Sequence, residues 1–353
     1  MKDISAIIPV YNGERTLVTC LDSVIQQKCG NISFEIIIID DGSTDGTESI
    51  SRKYCERYPE TIRYFRNENN LGVSEARNTG LDLCEGTFVA FIDADDYISE
   101  EYFSRLYEMA DAETDLVCCA YYAVQGANCY YRQSFFEKAC IMRSENDKEE
   151  FLLRLLCDDY GQPKDQKRIS AVGVPWAKLF RMDVIRNNDL RFPAGLRRSE
   201  DNLFAAEYMT ACRSIKYIDE PLYYYNIEHV RRAYYSFTPD DYRAILRIRD
   251  KFFELADTSF SEKVNAFRMA EKASMLNASI KNLVLARKGN DLYASVKALS
   301  GFEEFSFPDE SVSLEQLAGK QKLYILLYRL YRQRFYHIVI LIWKLYFAFC
   351  GTE

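Results

Sequence analysis

Four short apolar runs in the N-terminal third set what this chain can fold into. Ile4–Val10, Phe34–Ile39, Ile62–Phe65 and Phe88–Ile92 are short for core helices and rich in β-branched and aromatic residues, so each reads as a buried strand. Helical patterns fill the gaps. Leu17, Leu21, Val24 and Ile25 share one face, Thr44-Asp45 opens a helix through Ile50 and Tyr54, and Val73–Leu83 makes a third. Strand therefore alternates with helix at intervals of roughly thirty residues, the pattern of βαβ units around a parallel sheet. Such sheets bind ligands outside the carboxyl ends of their strands.

The polar chemistry collects at those ends. The first strand is broken by Pro9 and turns out of the sheet at Tyr11-Asn12-Gly13, the second closes in Asp40-Asp41-Gly42-Ser43, and the fourth in Asp93-Ala94-Asp95-Asp96. A buried strand that stops in acid delivers clustered negative charge to the rim, where it can meet water, a cation or a ligand. Ser43 and Asp45 are expected to cap the second helix, and Asp96 to support a helix start. No Gly-x-Gly-x-x-Gly follows the first strand and no Gly-Lys-Ser/Thr loop occurs, which speaks against a dehydrogenase or a P-loop enzyme. A rim of carboxylates repels a diphosphate unless a divalent cation intervenes, and oxygen-only ligands suit Mg²⁺ or Mn²⁺. The residues alone thus point to metal-assisted handling of a nucleoside diphosphate.

Composition removes other classes. A net charge of −8 with a pI near 5.2 argues against nucleic acid as a partner. Eleven cysteines, scattered without Cys-x-x-Cys spacing and with no apolar leader after Met1-Lys2-Asp3, read as reduced thiols of a cytoplasmic protein. With only His229 and His337 available, a Ser-His-Asp triad and a multi-histidine zinc site are both disfavoured.

Beyond residue 120, Asp115–Val124 reads as a strand, paired with Ala127–Phe136 across a turn at Gln125-Gly126. Asp147–Cys157 has an amphipathic helical pattern, and Asp158–Gly173 is polar enough to be a mobile loop. Val174–Phe180 follows, carrying Trp176. A basic, glycine-containing stretch, Arg191–Arg198, then leads to Ser199-Glu200-Asp201. As residues alone, this is a helix start with Ser199 as N-cap and acids favoured by the helix dipole.

Ala6-Ile7-Ile8-Pro9-Val10-Tyr11-Asn12-Gly13, Ile39–Asp45, Gly72–Gly80 and Phe91–Asp96 stand in the order and spacing of the family 2 glycosyltransferases, and residues 1–120 resemble that family closely. The resemblance extends through Trp176-Ala177-Lys178-Leu179, Glu200-Asp201 and Tyr217–Tyr225. It implies the GT-A fold: an α/β, Rossmann-like, mixed and mostly parallel sheet flanked by helices. Residues 1–120 would form its nucleotide-sugar-binding half and 121–238 its acceptor-binding half. By the same resemblance Pro9, Tyr11 and Asp41 border the nucleobase, and Arg77 and Asn78 face the nucleotide, although Arg77 also reads as an ion-pair partner of a nearby carboxylate. Asp93-Ala94-Asp95 matches the DXD motif, with Asp95 the direct metal ligand and Asp93 reaching ribose or metal. Asp201 matches the general base, with Glu200 orienting it or binding acceptor hydroxyls. Trp176, Arg197, Arg198, His229 and Arg231 are candidates for the acceptor or the diphosphate; the Arg197-Arg198 pair reads equally as solvated loop charge. The implied activity is inverting transfer from a nucleotide-diphosphate donor, a UDP-sugar, to a saccharide or lipid-linked saccharide in surface-polysaccharide synthesis. The alternative is a non-catalytic sugar-nucleotide or glycan-binding protein of the same fold.

Residues 239–353 read as a C-terminal helical region. Lys320–Cys350 holds six lysines and arginines, no acid, and interleaved aromatics. Its most apolar piece, Phe335–Cys350, is interrupted by His337 and Lys344 and is short for a bilayer span. The composition fits a helix lying at an anionic membrane surface, on the inner face of the plasma membrane, or one packed on the protein's own core or on a partner subunit.

Overall fold

The computed structural model describes residues 2–126, 129–147, 151, 173–195, 200–227, 238–255, 262–286, 291–307, 317 and 319–350. The chain divides into two compact units: Met1–Phe151 with Gly161–Arg231, and Leu152–Tyr160 with Arg232–Glu353.

A ten-stranded sheet runs through the first unit. Its strands are β1 (Lys2–Val10), β2 (Phe34–Asp40), β3 (Ile62–Arg66), β4 (Gly86–Phe91), β5 (Tyr97–Ile98), β6 (Leu116–Gln125), β7 (Cys129–Gln133), β8 (Cys140–Met142), β9 (Lys178–Arg181) and β10 (Ile215–Asn226). The order is β3-β2-β1-β4-β9-β6-β10-β5, with β7 on β6 and β8 on β10. The β3-β2-β1-β4 part is parallel, as are β6 and β10, while β9 runs opposite to both β4 and β6. The helices α1 (Leu17–Ile25), α2 (Thr47–Arg57), α3 (Val73–Leu83), α4 (Tyr102–Met109), α5 (Met182–Asn187) and α6 (Glu200–Ala211) flank it. Ile4, Ile7 and Ile8 of β1 and Ile36 to Ile39 of β2 are all fully buried, which is why these strands read as unbroken apolar runs. Strand order reverses between β1 and β4, the place where such sheets open a ligand crevice. Gly80 keeps α3 tight against this point, since a Cβ there would stand 2.5 Å from Ile7 Cγ2.

Three local expectations change. β1 ends at Val10 as expected, but Pro9 does not break it and stays in register with Ile39. The ladder to β4 ends at Ile7, whose carbonyl accepts from Ile92, and by strand alternation the missing N–H of Pro9 faces that side. The second helix begins at Thr47 rather than at Thr44-Asp45. Asp45 does accept from the Thr47 N–H and hydroxyl, but Ser43 Oγ accepts from the Asn12 N–H and ties the β1 and β2 loops together. The hairpin after β6 forms, with Gln125 opposite Cys129 and Gly126 at φ 65°. Most of Asp147–Cys157 and nearly all of Asp158–Gly173 lie outside the described residues.

The second unit is helical where described: α7 (Pro239–Leu255), α8 (Glu262–Ala286), α9 (Asp291–Ala298), α10 (Gly319–Arg332) and α11 (Tyr336–Cys350). Ala266, Ala270, Ala273, Leu276 and Ile280 form a buried stripe along α8 at helical spacing. Tyr328 of α10 stacks on Phe307 at 4.0 Å and its hydroxyl donates to the Phe307 carbonyl.

Candidate active site

The loops after β1 and β2 form one wall of the rim. Backbone–side-chain bonds lace them together: Thr44 N–H donates to Asn12 Oδ1, Gly13 N–H to Thr47 Oγ1 and Gly46 N–H to Glu14 Oε2. Gly42, at φ 76°, is required here because a Cβ would meet the Asn69 and Asn70 backbone at 2.8 and 2.9 Å. With the loop so fixed, Tyr11 is presented outward, 51% exposed although it follows a buried strand. Asp41 is buried and accepts from Asn67 Nδ2 and the Leu71 and Gly72 N–H groups.

The Asp93–Asp96 turn follows β4 at the reversal point. Asp95 is exposed, Asp93 and Ala94 are largely covered, and Asp96 is buried. Asp96 starts no helix: it accepts from the Tyr223 hydroxyl at 2.7 Å and from the Asn226 N–H at 2.8 Å, and so ties the turn to β10. The same hydroxyl accepts from the Asp93 N–H. Burial, followed by the charges of Asp93 and Asp95, pushes the Asp96 carboxyl well above the usual range.

Arg77 joins this turn to the start of α6. Its guanidinium, 5% exposed, donates to Asp93 Oδ1 at 3.0 Å and to Glu200 Oε1 at 3.4 Å, and lies 5.2 Å over the Phe192 ring. Burial opposes its charge, but Asp93 and Glu200 outweigh that and hold it protonated. Its Nε finds no partner among the described residues. Glu200 is buried as well, and its carboxyl is raised by burial and then by Asp201, against the pull of Arg77. Asp201, the next residue, is more open and accepts from the Asn202 N–H.

Two expected ligand contacts turn out to be spent inside the protein. Asn78 uses both ends of its amide on Phe192, donating to its carbonyl and accepting from its N–H, and so anchors the segment leading to Glu200. Trp176 is 3% exposed, stacked on Tyr223 at 4.9 Å and Tyr225 at 4.8 Å with Tyr121 at its edge, and is therefore a core residue. Arg197, Arg198, His229 and Arg231, with Ser199, the expected helix cap, lie outside the described residues. Sequence reasoning passed over Lys178. It is fully buried, donates to the Val174 and Trp176 carbonyls at 2.6 and 3.4 Å, and sits 4.2 Å over Phe135. Burial pushes its ammonium down to about 8, with Asp201 among the charges that oppose the shift. A lysine inside the apolar run Trp176–Phe180 was the available signal.

No group of three or more acidic, cysteine or histidine side chains able to hold a metal occurs among the described residues. The rim nevertheless fits a divalent cation of one kind. Asp95 and Asp93 offer oxygen ligands; burial and then their field raise Asp96, and burial followed by Asp96, Asp93 and Asp95 raises the Cys20 thiol. That donor chemistry would suit Mg²⁺ or Mn²⁺ held by one or two carboxylates, and not a closed all-protein site.

Residues 5–187 match the profile of Glycosyl transferase family 2, and the chain belongs to that family. Among curated relatives it is 32% identical to the putative glycosyltransferase EpsH of Bacillus subtilis (strain 168), over 64% of this chain and 60% of that protein. It is 29% identical to the poly(ribitol-phosphate) beta-N-acetylglucosaminyltransferase TarS of Staphylococcus aureus (strain MW2), over 70% of this chain and 40% of TarS. The match thus spans less than two thirds of the length of these relatives. Among solved structures, S. aureus TarS 1–349 in complex with UDP superposes with a TM-score of 0.70 at 23% identity, covering 98% of this chain and 91% of that one. The fold is accordingly GT-A, a mixed sheet flanked by helices and followed by a C-terminal helical region.

Proposed function

We propose that the chain is an inverting glycosyltransferase that moves a sugar from a UDP-sugar to a hydroxyl of a saccharide or lipid-linked saccharide in surface-polysaccharide synthesis. The observation that carries this reading is the Arg77 bridge, which holds the Asp93 and Glu200 carboxylates on one rim beside Asp95 and Asp201. The donor class is supported by the structures of TarS with UDP and with UDP-GlcNAc. An acceptor rich in hydroxyls is supported by relatives named as poly(ribitol-phosphate) glycosyltransferases. We place the reaction in the cytoplasm, at the inner face of the membrane where a lipid-linked acceptor is presented.

In this mechanism the exposed Tyr11 ring stacks on the nucleobase, whose edge lies against Asp41 and Pro9. Asp95, with Asp93 beside it, would hold Mg²⁺ or Mn²⁺. Such a cation would neutralise charge developing on the departing diphosphate. Asp201 takes the proton from the acceptor hydroxyl as its oxygen attacks the anomeric carbon, and a positioned base of this kind contributes about 10²–10⁴-fold. Glu200, fixed by Arg77, orients the first turn of α6 that carries Asp201. The resemblance alone assigns Arg197, Arg198, His229 and Arg231 to the diphosphate or acceptor.

Asp201→Asn tests the assignment. Thermal stabilisation by UDP-GlcNAc or UDP-glucose with Mn²⁺ should persist, while UDP release in the presence of acceptor falls by roughly 10²–10⁴. Transfer at the wild-type rate would remove Asp201 as the base.

A further inference from the structure

Helix α11 is apolar on both its covered and its opposite face, with only His337 and Lys344 polar along one flank. Tyr336, Val339, Ile340 and Trp343 are buried, yet Phe335, Ile338, Leu341, Leu345 and Tyr346 are 43–54% exposed. At about 100° per residue, Ile338, Leu341 and Leu345 fall within one narrow arc opposite the buried face. A helix on a soluble surface normally turns a polar face outward, and an uncovered apolar stripe marks a contact surface. Helix α10 repeats the feature with Leu323 at 48% and Leu326 at 46% exposure.

The charge on α10, on α11 and on the turn between them narrows what covers the stripe. Lys322, Arg332, Arg334 and Lys344 are exposed, and residues 320–350 contain no acid in a chain of net charge −8. Arg332 and Arg334 also line a cavity of about 280 Å³ beside Tyr328, Tyr331 and Tyr336. A second copy docking through the same face would set these cations against one another. A layer of acidic lipids offers both phosphates for the cations and acyl chains for the leucines. Among the described residues no helix is long and apolar enough to cross a membrane. A helix of this kind lies in the interface plane instead.

We infer that α11 docks on an anionic lipid surface, with Ile338, Leu341 and Leu345 at the acyl boundary and Arg332, Arg334 and Lys344 among the headgroup phosphates. This contact is independent of the donor chemistry. Co-sedimentation of the full chain with phosphatidylglycerol–phosphatidylcholine vesicles, and with phosphatidylcholine alone, tests it. Binding should require phosphatidylglycerol and weaken as salt rises. The Leu341→Glu/Leu345→Glu variant and the Arg332→Glu/Arg334→Glu variant should each lose about tenfold or more in vesicle affinity, with circular dichroism and UDP-sugar stabilisation unchanged. A wild-type chain that stays in the supernatant, or variants that bind as wild type does, would overturn the inference. So would a wild-type dimer that Leu341→Glu/Leu345→Glu converts to monomer without any vesicle binding, which would assign the face to a second copy.

Discussion

The Asp93–Asp96 turn and the Glu200-Asp201 helix start each pair a buried carboxylate with a more open one, yet the buried member is held differently. In the turn, Asp96 rests on neutral donors, the Tyr223 hydroxyl and the Asn226 N–H. At the helix start, Glu200 meets the Arg77 cation, and Lys178 feels the charge of Asp201. Neutral donors fix Asp96 in place without supplying a counter-charge, so the repulsion from Asp93 and Asp95 stays uncancelled there and its carboxyl is held up, which suits an edge that takes up a cation. A buried cation balances the helix start, which suits a carboxylate that must accept and release a proton. Arg77 belongs to both clusters.

Removing Arg77 should therefore break the comparison most severely. Arg77→Met leaves Glu200 buried without its counter-charge and Asp93 without its tether, and should destabilise the chain by about 3–5 kcal/mol in urea unfolding. Arg77→Lys should recover only part of this, because a point charge cannot span both carboxylates as the fork does. A fully stable Arg77→Met would show that the two clusters do not depend on each other.

Asp95→Ala acts on the turn alone. The residue is exposed, so the fold should persist. In Mn²⁺ with donor at a hundred times its Kd, the variant should lose the roughly 2.7 kcal/mol of donor stabilisation that wild type shows, as EDTA should do to wild type. Stabilisation that survives both treatments would mean the rim binds donor without a metal.

The first half of the rim was legible because β1, β2 and β4 are buried on both faces and end in polar residues within the same stretch of sequence. Helix α3, with bounds Val73–Leu83, was legible for a similar local reason. The second half depends on pairs that no local pattern encodes. Arg77 and Glu200 are 123 residues apart, and Asn78 and Phe192 are 114 apart. A sequence can show that Asn78 is polar on a helix facing the rim, but not that a backbone segment consumes both ends of its amide. Trp176 misleads in the same way. Its neighbours in sequence, Pro175, Ala177 and Lys178, do not reveal its burial, because the rings that cover it come from β6 and β10. In the tail, the cations and apolar residues are visible in the sequence, but the division of α11 into a covered and an uncovered face needs the packing.

Tyr223→Phe probes the neutral-donor side of the comparison. The change removes the hydroxyl that donates to Asp96 and accepts from the Asp93 N–H, leaving two covered polar groups one partner short. A loss of about 1–3 kcal/mol is expected, with little change at the helix start. If the loss instead matches that of Arg77→Met, hydrogen-bond donors and ion pairs are equivalent here and the distinction fails.

Lys178 gives the smallest expected effect, read as a slope. Its ammonium is held at about 8 against an ordinary 10.5, because burial disfavours the charge. Between those values the unfolded chain binds the proton and the folded chain does not, so this residue makes stability rise with pH across that window. The relief is complete above 10.5 and is lost as pH falls through 8. Relative to Lys178→Met, wild type should gain up to about 1.4 kcal/mol per pH unit from pH 8 upward, measured as the difference between urea midpoints. Parallel curves for the two proteins would mean that Lys178 keeps its proton when buried. The charge balance at the helix start would then rest on two permanent cations, Arg77 and Lys178, and Asp201 would lose proton affinity with both of them fixed beside it.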